Sequence, residues 1–273
     1  MLGKLLKYEI KATARTFLPL YLALVVLTII TKILISIALP GTVLDSTSGS
    51  NFEIPLGISM TVYFTIIVAL SVLTLIVIIQ RFYKNLLTDE GYLMFTLPVQ
   101  TSKLILSKLI VGLMWTFVCG VAVAVSIFIL AIGNISVMEI TQGINVFYSG
   151  FQNQFGMSPN MLIWEMIILM IVDIVASILM IYVAIAIGQL FSQHRIMAAF
   201  GAYIAISVVI QILATLLTVI IPIFGIEELI NSQTNQLKVI EIMINGLTLL
   251  NIITAAAFYF ITNYILKNRL NLE

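Results

Sequence analysis

Charge is scarce in this chain, and its scarcity decides the class of protein. Only 9% of residues are charged while 61% are hydrophobic, with a mean hydropathy of +1.16. A soluble domain carries about 25% charged and about 45 to 50% apolar residues, so a soluble globular fold is excluded. Cysteine and histidine are nearly absent too. The single Cys119 excludes an intrachain disulfide and a cysteine metal cluster, and the single His194 leaves histidine triads and H-E-x-x-H zinc sites without their parts. No G-x-x-x-x-G-K-[ST] stretch exists, so the chain cannot hold ATP in a Walker loop. The net charge of +1 gives no reason to expect nucleic acid as a partner. No cofactor or metal is expected in this chain, and no covalent chemistry of its own.

What is present is a series of apolar runs long enough to cross a bilayer, which takes about 20 residues. They cover roughly 17–39, 59–80, 104–132, 161–191, 196–222 and 242–266, and predict an all-α polytopic membrane protein with six transmembrane helices in one domain, 1–273. The first run is too long for the core of a signal peptide and reads as an uncleaved span. Before it, Lys4, Lys7, Lys11 and Arg15 fall at spacings of three and four, opposite Leu2, Leu5, Leu6 and Ile10. That pattern predicts an amphipathic elbow helix over 2–16 in the membrane interface, with Pro19 separating it from the span. A simple juxtamembrane anchor is the alternative.

Lysine and arginine set the expected orientation. Lys4, Lys7, Lys11, Arg15, Arg81, Lys84, Lys103, Lys108, Arg195, Lys267 and Arg269 fall on one side, eleven of the thirteen in the chain. Both termini are therefore expected in the cytoplasm, with the protein in the plasma membrane. Residues 133–160, rich in Gln, Asn and aromatics, are expected outside and could hold a short surface helix. Residues 223–241, broken by Pro222 and Gly225, could hold another, or a plain loop.

The segment Arg81 to Lys108, RFYKNLLTDEGYLMFTLPVQTSKLILSK, is the longest polar interruption that carries several basic residues. Phe82, Leu86 and Leu87 recur at near-helical spacing. Asp89, Glu90 and Gly91 follow with two carboxylates and a stop, Tyr92 to Leu97 is apolar, and Pro98 ends what precedes it. A short amphipathic helix between two turns is predicted, and Lys103 and Lys108 are expected to stay near the headgroups. At these residues the chain resembles the type-2 exporter permeases of ATP-binding cassette transporters. In that family an acidic residue and glycine, an apolar segment, a proline and then a lysine follow the second span. Here these are Glu90, Gly91, Leu93 to Leu97 with Phe95 at its centre, Pro98 and Lys108; Tyr92 and Gln100 depart from the family's usual threonine and basic residue. The resemblance implies that 82–102 forms the coupling helix, with Asp89, Glu90, Gly91, Tyr92, Phe95, Pro98 and Lys108 facing a separate ATPase subunit. It also implies a second permease copy, as a homodimer or with a related chain. A solvated loop in some other polytopic protein is the alternative.

Asp173 is the conspicuous acid inside the fourth span. A charge at mid-membrane costs about 2.5 to 3.5 kcal/mol, so Asp173 should face protein or water. Ser177, Met180, Ala184 and Gly188 follow it at helical spacing. Span five offers Ser207, Gln211, Thr215 and Thr218 in the same way, and span six Thr248, Asn251 and Ala255. Such stripes serve either as helix-packing seams or as the walls of a substrate path. Asp173, Ser177, Gln211 and Asn251 are the candidates for both roles, with Asp173 and Gln211 expected level with each other and hydrogen-bonded. The function these readings imply is ATP-driven export through a permease subunit. The alternative is an ATPase-independent membrane protein, a secondary transporter using Asp173 or a structural subunit.

Overall fold

A computed structural model describes residues 2–38, 50–87, 100–132, 136–156, 158–191, 193–225 and 233–268. Among the described residues there is no strand, and seven helices follow in order. They are α1 (Leu2–Ala38), α2 (Ser50–Leu87), α3 (Thr101–Ala131), α4 (Val137–Phe155), α5 (Asn160–Gly188), α6 (Arg195–Gly225) and α7 (Gln233–Asn268). All but α4 are long and apolar enough to cross a membrane. This makes the chain an all-helical, multi-pass membrane protein. The lipid-facing surface explains the many exposed Ile, Leu, Val and Phe side chains, because a bilayer gives apolar groups no reason to hide.

The chain divides into two compact units, residues 1–78 with 110–140 and residues 79–109 with 141–273. In the first, α1 presents one face at close to 3.5-residue spacing: Thr13, Phe17, Leu24, Thr28, Thr31 and Ile35 are all buried. Two clusters grow on that face. Phe17 packs with Val77, Val111 and Trp115, and Leu24 with Tyr63, Leu70 and Cys119. Because lipid removes the hydrophobic drive between helices, close packing and interhelical hydrogen bonds hold them together. Trp115 stacks on Phe17 at 4.4 Å and donates its Nε1–H to Thr13 Oγ1 at 2.7 Å, while Tyr63 and Ser126 hydroxyls meet at 2.7 Å. Lys32 reaches the carbonyls at the end of α3, bonding Leu130 O at 3.0 Å and also Ile132 O. A cation there satisfies carbonyls that the helix itself leaves open and complements its dipole.

Pro19 does not separate an elbow from the first span. It lies inside the uninterrupted α1, so residues 2–16 are the first turns of that helix. Proline removes one N–H, but that is a single lost bond in a helix of 37 residues. The amphipathic reading of the segment survives, since Lys7, Lys11 and Arg15 are exposed and Leu5, Leu6 and Ile10 partly covered.

In the second unit α5 packs chiefly on α7 and also on α6. Its later half is largely buried, from Ala176 through Tyr182 to Gly188. Phe82 stacks flat on Tyr182 at 4.0 Å, both fully enclosed, and Thr101 Oγ1 donates to Asn263 Oδ1 at 2.8 Å. At the α5–α6 turn the backbones nearly touch. A Cβ on Gly188 would lie 2.6 Å from Ala199 Cβ and 2.7 Å from the carbonyl oxygen of Arg195, and His194 takes a left-handed φ of 58° to turn the chain.

The stretch expected as a surface helix within 133–160 contains α4. It opens with a capping box, in which Ser136 N–H donates to Glu139 Oε2 at 2.8 Å and Glu139 N–H to Ser136 Oγ at 3.2 Å. Ile140, Ile144, Phe147, Phe151 and Phe155 line one side of it, and Tyr148 Oη ties it to Asn160 Oδ1 at 2.9 Å. Of the expected helix within 223–241, residues 226–232 lie outside the described residues.

Candidate functional site

The polar stripes of three helices meet in the second unit. Asp173 lies near the middle of α5, thirteen residues after Asn160, which is about 20 Å along the axis. Two adjoining recesses open beside it, of about 180 and about 550 Å3, and share Asp173, Ile210, Gln211 and Asn251. The smaller also takes in Ser177, Ser207 and Thr254; the larger is walled by Met166, Met170 and Leu247. Together they form one groove between α5, α6 and α7. The structure thus brings Asp173, Ser177, Gln211 and Asn251 to one place.

The groove divides the α5 stripe into two. Asp173, Ser177 and Met180 line it, whereas Ala184 and Gly188 are buried against neighbouring helices. One stripe therefore serves as a wall in its first half and as a packing seam in its second.

Asp173 takes its hydrogen bond from a different partner than the expected one. Asn251 Nδ2 of α7 donates to Asp173 Oδ1 at 3.2 Å, while Gln211 of α6 lines the same recesses without being that donor. The reason is packing: α5 lies more extensively against α7 than against α6. A second bond of the same kind occurs eight residues earlier, where Asn245 Nδ2 donates to Glu165 Oε1 at 3.1 Å. The two helices run the same way here, so the carboxylates of one meet the carboxamides of the other in order. Glu165 Oε2 is buried without a hydrogen-bond partner among the described residues. Sequence reasoning passed over Glu165. The signal was its spacing of eight from Asp173, which puts both acids on one face of a helix with 3.6 residues per turn.

The other candidate site is the coupling stretch. Asp89, Glu90, Gly91, Tyr92, Phe95 and Pro98 lie outside the described residues. Lys108 is described, and it is not at a headgroup-facing position. It is 4% exposed, on the same side of α3 as Leu104 and Ile105, whereas Lys103 is exposed. Lys103 and Lys108 are five residues apart, which places them on different faces, and only the first faces outward.

Among the described residues no group of three or more His, Cys, Asp or Glu is placed to hold a metal ion. Comparison of the chain with protein-family models, with characterised proteins and with solved structures gives no match.

Proposed function

We propose that this chain is the membrane-spanning permease subunit of an ATP-binding cassette transporter, an exporter of the plasma membrane, working beside a second permease copy. The observation that carries a transport role is the acid-lined groove at mid-depth between α5, α6 and α7. A seam that only packs helices closes its polar groups onto each other; here Asp173 stays exposed beside open volume. In hydrocarbon such a charge is kept where it meets water or a ligand.

Coupling to ATP is supported by the resemblance over Glu90 to Lys108. The ATP-hydrolysing part lies outside the 273 residues of this sequence, which hold no Walker loop. It docks on 82–102 from the cytoplasmic side, which the lysine and arginine distribution assigns to both termini. The rigid anchorage of both ends of that stretch supports the role. Phe82 is locked on Tyr182 and Thr101 on Asn263, so a push on the loop reaches α5 and α7, the helices that carry Asp173 and Asn251.

An ATPase-independent carrier is the second reading, favoured by the position of Asp173 alone. The two are separated by purifying the full chain from its native membranes. An ATP-hydrolysing subunit should accompany the wild type and be lost or uncoupled in Glu90→Ala, Gly91→Val and Pro98→Leu, all still inserted. A wild-type chain that purifies without any ATPase would leave the carrier reading in its place.

A further inference from the structure

The groove has a surplus of acceptors. Thr254 Oγ1 donates to the carbonyl of Asn251 at 3.1 Å and Ser207 Oγ to that of Tyr203, so both hydroxyl hydrogens are committed within their own helices. Those two hydroxyls offer a ligand only oxygen lone pairs, and although Ser177, Gln211 and Asn251 still carry donors, the oxygen lone pairs of the lining outnumber them. Asn251 has given a hydrogen to Asp173 Oδ1, and the carboxylate has a second oxygen to offer. Among the described residues lining the two recesses, Asp173 is the one charged side chain. The next acid along α5 is Glu165, with its buried, unpartnered Oε2. The charge along this face is therefore of one sign.

The remaining wall is soft. Met166, Met170 and Met180 supply polarizable thioethers and Phe258 a ring, surfaces that accommodate irregular apolar bodies and tolerate a nearby cation. The larger recess, at about 550 Å3, has the size of a small-molecule site. From the acceptor surplus, the single-signed charge and the soft wall, we infer that the groove binds a hydrophobic cation, a ligand joining one positive charge to an apolar body. The charge sits against the carboxylate of Asp173 and the body lies along the methionines. An anionic amphiphile would meet like charge there and find no basic partner in the lining.

This inference gives the substrate class of the transporter reading and takes its biological sense from it, yet its test involves no ATPase. The full chain is reconstituted in nanodiscs of zwitterionic lipid, and binding is measured by equilibrium dialysis against empty discs. The probes are tetraphenylphosphonium and its near-isosteric anion, tetraphenylborate. Saturable binding of the cation is expected, with the anion showing only the uptake of empty discs. Asp173→Asn should weaken cation binding by about tenfold or more, as loss of a charge-assisted contact does, and Asp173→Glu should retain it. Gln211→Lys, at an exposed groove position, should abolish cation binding and admit the anion. Cation binding indifferent to Asp173→Asn and to Gln211→Lys, equal saturable binding of the anion, or no saturable cation binding by the wild type would each overturn the inference. Any of those results leaves coupling to an ATPase to be judged by its own experiment.

Discussion

Single polar side chains do specific jobs in this membrane protein, because the surrounding hydrocarbon offers no substitute partner. Lys32 closes the end of α3 by bonding the Leu130 and Ile132 carbonyls. Lys32→Met should therefore lower stability by about 1 kcal/mol, the scale of a helix-end cation or one hydrogen bond. Unfolding in mixed micelles would measure this, and a Lys32→Met chain as stable as the wild type would show that the contact contributes nothing. Asp173 was legible in the sequence as a charge out of place, but its partner was not. Gln211 and Asn251 both sit at a suitable depth, and only the closer packing of α5 on α7 selects Asn251. The burial of Lys108 was hidden for a related reason. Counting lysines locates a membrane boundary, whereas burial depends on which helix face meets a neighbour.

Helices themselves are the most readable feature, since about 20 apolar residues in lipid have little choice but to be helical. The six expected spans all correspond to helices, and 133–160 contains α4. What sequence patterning overstated was the power of Pro19 to break α1. Propensity rules formed in water weigh a lost N–H against solvation, and lipid removes that alternative. Close contacts between helices are less legible still. Gly188 stood in a stripe of small residues, and only the coordinates show that a Cβ there would press on the backbone of the next helix. Gly188→Ala should destabilise the α5–α6 turn by about 1 to 3 kcal/mol, the usual cost of overpacking. Thermal melting of the detergent-solubilised variant checks it; an unchanged melting temperature would mean that the turn relaxes freely.

For the whole molecule, the division into an anchored first unit and a groove-bearing second unit was not visible in the sequence, where all six spans look alike in hydropathy. The expected orientation rests on the eleven of thirteen basic residues on one side. Single cysteines at Ser48 and Gln152, in a Cys119→Ala background, should react with an impermeant thiol reagent in intact cells, and a cysteine at Ser102 only after lysis. Reaction of the Ser102 cysteine in intact cells would reverse the topology. The central claim is that ATP hydrolysis by a partner changes access to the groove, and one cysteine in the groove reports it. Gln211→Cys in the Cys119→Ala background, held in native membrane vesicles, should react with a water-soluble thiol reagent at rates that differ at least about threefold between the nucleotide-free state and the state trapped with ATP and vanadate, the response expected of a population shift of about 0.7 kcal/mol or more. Identical rates in the two states would contradict the account.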